Sequence, residues 1–212
     1  MPSPPQALLI DFGGVLTTDV HESFGAFCRA AGGRGDEIAR AFRESAAARA
    51  LLVERETGRL SETAYEERFS ALLRADGLEV RATGLLAGMT AALRRDDGMW
   101  DVVAAVRAAG VPCVLVSNAL DDASYEGYDL DRHFDAVVLS HAPDVACRKP
   151  SRRIYALAAA RVGVDVARCV MVDDLQQNLD GAARLGVHGV LHRRADETAP
   201  VLRALFGLGP GG

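Results

Sequence analysis

Apolar and polar positions along the chain fall into two regimes. Short, largely apolar runs occur at Ala7–Ile10, Val111–Val116, Phe134–Leu139, Cys169–Val172 and His188–Leu191. Runs of this length, bounded by turn residues, predict strands buried on both faces. Between them, apolar residues recur at helical spacing: helices are expected from Trp100 to Ala109, stopping at Gly110, from about Arg152 to Val162, and ahead of Gly186. Alternating strands and helices of this kind imply a parallel sheet covered by helices. The span after the first strand is different. Val20, Phe24, Phe27, Cys28 and Ala31 share one helical face. Ile38, Phe42 and Ala46 predict a second helix running on towards Leu52 until Gly58 breaks it. Ser61 supplies an N-cap for a third helix with Tyr65, Phe69, Leu72 and Leu73 on its apolar face, and Leu85, Leu86, Met89 and Leu93 mark a fourth. The expected architecture is α/β: a Rossmann-like parallel-sheet core from residues 1–17 and 93–212, with a helical cap inserted at 18–92. The tail, Gly207–Gly212, is expected to be disordered.

Composition narrows the function classes. Of 212 residues 49% are hydrophobic, enough for a core, yet no segment approaches the roughly 20 apolar residues of a membrane span. The start, Met-Pro-Ser-Pro-Pro-Gln, lacks the charged and apolar regions of a signal peptide, so a cytoplasmic protein is expected, monomer or homodimer. A net charge of −5 without a basic stripe argues against nucleic acid as a partner. Cys28, Cys113, Cys147 and Cys169 have no metal-type spacing and read as small core residues in a reducing compartment. One count stands out: of 24 basic residues, 23 are Arg and one is Lys, Lys149.

Chemistry-bearing residues gather at strand ends. Asp11 follows the first apolar run and leads into Gly13-Gly14; Ser117-Asn118 follows the second; Lys149-Pro150 precedes a helix; Asp173-Asp174 closes the fourth. Taken singly, Asp11 is also a capping residue at a strand end and Ser117-Asn118 a turn. Lys149 is also a solvated lysine, and Asp173-Asp174 an N-cap pair. In a parallel sheet all C-terminal strand ends share one edge, where open α/β sheets place their ligands. That common edge favours a single site over four coincidences.

These segments resemble the haloacid dehalogenase-like hydrolase superfamily over nearly the whole chain. Asp11-Phe12-Gly13-Gly14-Val15-Leu16-Thr17 is similar to its first motif and Val116-Ser117-Asn118 to its second. Arg148-Lys149-Pro150 with Ile154-Tyr155 is similar to the third, and Val172-Asp173-Asp174 through Asn178, followed by Gly181-Ala182, to the fourth. The resemblance implies that Asp11 is a nucleophile forming an aspartyl-phosphate on a small phosphorylated metabolite. It implies Mg²⁺ held by Asp11, the Gly13 carbonyl and Asp174, oxygen ligands that suit this ion. Asp173 would take a water-mediated metal position or orient Lys149, whose ammonium offsets Asp11 and the phosphoryl charge. Ser117, Asn118 and the Gly13-Gly14 backbone would bind the substrate.

One position departs from the pattern. Two residues after the nucleophile, most phosphatases of this family carry a second Asp that protonates the leaving group; here it is Gly13. Such a group contributes about 10²–10⁴-fold. A phosphatase lacking it needs a good leaving group or an acid from the cap side, for which Asp19, His21 and Glu22 are candidates. The alternatives are a metal-independent haloacid dehalogenase-type hydrolase, against which the Asp173-Asp174 pair argues, and a phosphate-binding module with little turnover. A phosphonatase-type Schiff base is ruled out because the cap holds no lysine. Arg40, Arg43, Arg49, Arg55 and Arg59 of the cap are read mainly as a solvated face, and Gly13→Asp is expected to raise turnover of poor leaving groups.

Overall fold

The computed structural model describes residues 4–209. The ends of the signal-peptide and tail readings, residues 1–3 and 210–212, lie outside the described residues. Five parallel strands, β1 (Ala7–Ile10), β2 (Cys113–Ser117), β3 (Ala136–Leu139), β4 (Cys169–Asp173) and β5 (His188–Leu191), form one sheet in the order β3-β2-β1-β4-β5. Strand β1 is central because all four of its residues are fully buried and feed both faces. Leu8 and Ile10 enter one hydrophobic cluster, Ala7 and Leu9 the other, as side chains alternating along a strand must.

Five helices fill the chain between β1 and residue 97: α1 (Val20–Ala30), α2 (Glu37–Glu44), α3 (Ala46–Glu56), α4 (Glu62–Ala75) and α5 (Leu85–Thr90). They bury a third, separate cluster that includes Phe24, Cys28, Ile38, Tyr65, Phe69, Leu73 and Met89. The chain leaves and returns to the sheet side by side. Thr17 and Arg95 form an antiparallel bridge, and the Thr18 amide donates to the Arg94 carbonyl at 2.8 Å. Helices α6 (Asp97–Ala108), α7 (Leu130–His133), α8 (Arg152–Arg161), α9 (Gln176–Ala183) and α10 (Ala195–Leu205) complete the fold. α6 and α10 bury Trp100, Val103 and Leu202 against the Leu8–Ile10 face, while α8 and α9 bury Ile154, Tyr155 and Leu179 against the other. No described helix is long and apolar enough to cross a membrane, and all four cysteines are buried thiols.

The structure corrects several expected boundaries. The helix expected from Ile38 to Gly58 is two helices. Ser45 is extended (φ −91°, ψ 117°) and its hydroxyl accepts the Ala48 amide, ending α2 and capping α3. α6 begins at Asp97 rather than Trp100 because the Asp96 carboxylate accepts the Met99 amide. Phe134 and Asp135 precede β3: the Asp135 carboxylate is spent on Arg107 and on the Cys113 amide. Gly207–Gly209 is not a loose tail. The Leu208 amide donates to the Arg203 carbonyl at 2.8 Å and its side chain packs on the α6 face.

Candidate active site

The sheet's C-terminal edge does bring the strand-end groups together. Lys149 is fully buried, and its Nζ lies 2.7 Å from Asp11 Oδ1 and 2.7 Å from Asp173 Oδ2. A buried ammonium needs such partners. Its backbone is fixed as well, since Asn118 Oδ1 accepts the Lys149 amide at 2.8 Å and Asn118 Nδ2 donates to the Lys149 carbonyl at 3.2 Å. Asn118, expected to bind substrate, thus has its side-chain amide engaged in holding the lysine segment to the end of β2.

Asp173 is committed on both oxygens. Oδ2 takes Lys149, while Oδ1 accepts the Leu175 amide at 3.0 Å and Asn178 Nδ2 at 2.8 Å. Of its two expected roles the geometry favours orienting Lys149. Asn178 sits in the first turn of α9, and its own carbonyl accepts the buried Tyr155 hydroxyl at 2.7 Å, which ties α8 to the site. Asp11 Oδ1 accepts the Phe12 amide at 2.7 Å as well as Lys149, and no protein donor reaches its Oδ2 among the described residues. Ser117 Oγ accepts the Tyr125 hydroxyl at 2.8 Å, which leaves the Ser117 proton free to donate.

Charge is concentrated here. Burial pushes the Asp11 carboxyl up to about 7 against the pull of Lys149, and the neighbouring Asp173 charge adds to the rise. Burial works against the Lys149 ammonium, but Asp11 and Asp173 together outweigh it and hold its pKa above the usual lysine value. Asp174, half-buried, is raised by burial and then by Asp173. Asp11, Asp173 and Asp174 each present an oxygen within 4.8 Å of the others. Three carboxylates so close, with one ammonium between two of them, fit a hard divalent cation with oxygen ligands. Gly14 belongs to this cradle: its φ is +75°, and a Cβ there would come within 2.9 Å of Asp174 Oδ2.

At Gly13 the expectation changes. A Cβ on this residue would meet Val20 Cγ2 at 2.7 Å, so the first residue of α1 occupies the space a larger side chain would need. The Gly14 amide is engaged with Thr17 Oγ1 at 3.3 Å, and the Gly13 amide has no partner among the described residues. Asp19, His21 and Glu22 are exposed, and Asp19 is occupied as the N-cap of α1, accepting the His21 amide at 2.6 Å. Among the arginines of the helical insert, Arg43, Arg49 and Arg59 are exposed, whereas Arg55 is buried, against the solvated reading.

The profile of the haloacid dehalogenase-like hydrolases matches residues 5–186. The chain belongs to this family. Two curated relatives align with its parts: "Acyl-CoA dehydrogenase family member 10" of Mus musculus, 32% identical over 111 residues, and "Phosphoglycolate phosphatase" of Caulobacter vibrioides, 36% identical over 97 residues. These segments cover 51% and 44% of the chain but only 10% and 40% of the relatives. A HAD family enzyme from Bacteroides thetaiotaomicron, solved with magnesium and inorganic phosphate, superposes with TM-score 0.67 at 18% identity, covering 89% of this chain and 94% of that one. L-2-haloacid dehalogenase from Xanthobacter autotrophicus, with chloropropionic acid covalently bound, gives 0.66 at 24%, covering 97% and 85%. Both establish the shared fold. Within this HAD-like hydrolase, sequence reasoning missed Tyr125, Asp121 and Glu56, which lie around Ser117 and Lys149. Tyr125 is in a 3-10 turn without periodicity, and Glu56 is spaced like any other helical glutamate.

Proposed function

We propose that this HAD-like hydrolase is a Mg²⁺-dependent phosphatase of a small phosphorylated metabolite, working through an aspartyl-phosphate on Asp11. The observation that carries the reading is the pairing of Lys149 with both Asp11 and Asp173 beside a further carboxylate, Asp174, placed to share a cation with Asp11. A relative that is a phosphoglycolate phosphatase and a neighbour holding magnesium and phosphate support it.

Asp11, the Gly13 carbonyl and Asp174 would hold Mg²⁺, which when bound neutralises phosphoryl charge. Lys149 and the Phe12 amide hold Asp11 Oδ1, so Oδ2 is the oxygen left to bond to phosphorus as the bond to the leaving oxygen breaks. The Ser117 hydroxyl and the Gly13 amide donate to phosphoryl oxygens, where charge develops. Water then attacks phosphorus, the bond to Asp11 breaks, and the carboxylate returns. The helices α1–α5 act as the cap, excluding water while the substrate is held.

Purified protein is expected to release phosphate from acetyl phosphate or p-nitrophenyl phosphate only with Mg²⁺, and Asp11→Asn to abolish it. Chloride release from a 2-haloacid in chelator, with no phosphate release from either compound, overturns the proposal in favour of a dehalogenase.

A further inference from the structure

The segment leaving β2 rises to the helical insert, where Leu120 packs against its apolar cluster, and turns back through a 3-10 turn at Ala123–Tyr125. The turn is fixed from within. Asp121 is buried and its Oδ1 accepts the Ser124 amide at 2.6 Å, while the Tyr125 amide donates to the Asp122 carbonyl at 3.1 Å. The last residue of the turn returns to the sheet edge. The Tyr125 ring packs on Phe12 with centroids 4.6 Å apart, and its hydroxyl lies 2.8 Å from Ser117 Oγ. Phe12 follows Asp11 and donates its amide to Asp11 Oδ1 at 2.7 Å. One side chain therefore spans the ends of β1 and β2, touching the neighbour of the nucleophile and the serine expected to bind phosphate.

We infer that Tyr125 is a positioning residue for phosphoryl binding: its hydroxyl gives its proton to Ser117 Oγ and so aims the Ser117 proton at a phosphoryl oxygen. The inference rests on the phosphatase reading above. Two facing hydroxyls can bond in either direction, and chemistry chooses between them. A phenol is more acidic than an aliphatic alcohol, so Tyr125 is the better donor and the serine oxygen the better acceptor. In that direction the chain runs from Tyr125 to Ser117 to phosphoryl, and every proton has an acceptor once substrate is bound. In the other, the Ser117 proton is spent on Tyr125, and the serine offers the phosphoryl oxygen only a lone pair. Ser117 is 3% exposed and its hydroxyl has no second partner among the described residues, so Tyr125 alone sets its rotor. Linked hydrogen bonds polarise one another, which strengthens the last of the chain. Because the phenol is anchored on Phe12, the donor is organised beside Asp11 before charge develops.

The test is a double-mutant cycle on kcat/KM for p-nitrophenyl phosphate with Mg²⁺. Tyr125→Phe keeps the ring on Phe12 and removes only the hydroxyl. It is expected to lose about 3–10-fold, the scale of one neutral hydrogen bond, and Ser117→Ala about 10²–10³-fold as a lost donor. The two together should be no worse than Ser117→Ala alone, since Tyr125 acts through the serine. Vanadate, whose oxygens imitate the phosphoryl group in transit, should inhibit Tyr125→Phe more weakly, by the same factor as kcat/KM falls. Full additivity overturns the inference, because it marks a tyrosine that contacts substrate itself or only supports the fold. So does an unchanged vanadate Ki, or a Tyr125→Phe protein equal to wild type. Should Ser117→Ala not fold, turnover and vanadate inhibition of Tyr125→Phe still decide. Failure of wild type to release phosphate from either p-nitrophenyl phosphate or acetyl phosphate with Mg²⁺ instead overturns the phosphatase reading, and the inference with it.

Discussion

At Gly13 a single missing side chain is matched by a neighbour that fills its space. Because Val20 Cγ2 would stand 2.7 Å from a Cβ at residue 13, and valine has one strongly preferred rotamer in a helix, Gly13→Asp alone should destabilise the fold without raising turnover. Gly13→Asp with Val20→Ala opens the space, and faster phenyl phosphate turnover in the double variant than in the single one would bear this out. Lys149 poses the opposite problem. It compensates two buried carboxylates, and breaking a buried ion pair on one side costs about 3–5 kcal/mol. Lys149→Met should lower the unfolding free energy measured by urea titration by that amount at neutral pH and recover stability in mild acid, as the stranded Asp11 carboxylate, already raised by burial, takes up a proton. Asp11, Ser117, Asp173 and Asp174 were legible in the sequence because each ends or adjoins an apolar run and parallel strands share an edge; Lys149 was legible as the one lysine of the chain, standing just before a helix. Glu56 and Val20 were not, because what brings them to the site is the packing of the helical insert, and Tyr125 was not, because it lies in a short 3-10 turn after β2 that leaves no periodic trace.

Among the elements, strands β1, β2 and β4 were readable from unbroken apolar runs, the consequence of burial on both faces. Helix α10 went unread: Pro200 lies inside it, and proline argues against a helix interior. The division of α2 from α3 turns on one serine whose hydroxyl competes with the backbone, a choice that hydrophobic spacing does not record. The start of α2 offers a further test. Glu37 accepts the Arg34 amide at 2.6 Å and the Gly35 amide at 2.9 Å, and the first of these bonds does most to lower its carboxyl to about 2. A depressed carboxyl stabilises the fold above its unfolded value near 4.5 and loses that contribution as pH falls through 4.5 towards 2. Glu37→Gln is therefore expected to cost about 1.5–3 kcal/mol at pH 7, the scale of hydrogen bonds to a charged group. Urea titrations of the two proteins at pH 7 and pH 3 should show the gap narrowing in acid.

For the whole molecule, the site is a concentration of like charge that the fold tolerates at a cost in stability, with a cation able to relieve it. Asp174 is raised by burial and by Asp173, so without metal it opposes folding at neutral pH: a raised carboxyl favours the native state only below its folded value. Removing its charge should then stabilise the metal-free protein. Adding Mg²⁺ should do the reverse to the comparison, because a ligand bound only by the native state stabilises it by about 2.7 kcal/mol at a hundred times its Kd. For a chain of this size each kcal/mol moves Tm by about 2–4 °C, which puts the wild-type shift near 5–10 °C. Asp174→Asn is thus expected to melt above wild type in chelator and below it in saturating Mg²⁺, with little response of its own to the ion. A crossing of the two melting temperatures identifies Asp174 as a carboxylate retained for its metal against the interest of stability. Parallel shifts of both proteins would place the cation elsewhere, and an Asp174→Asn protein less stable than wild type even in chelator would mean that the carboxylate is structural.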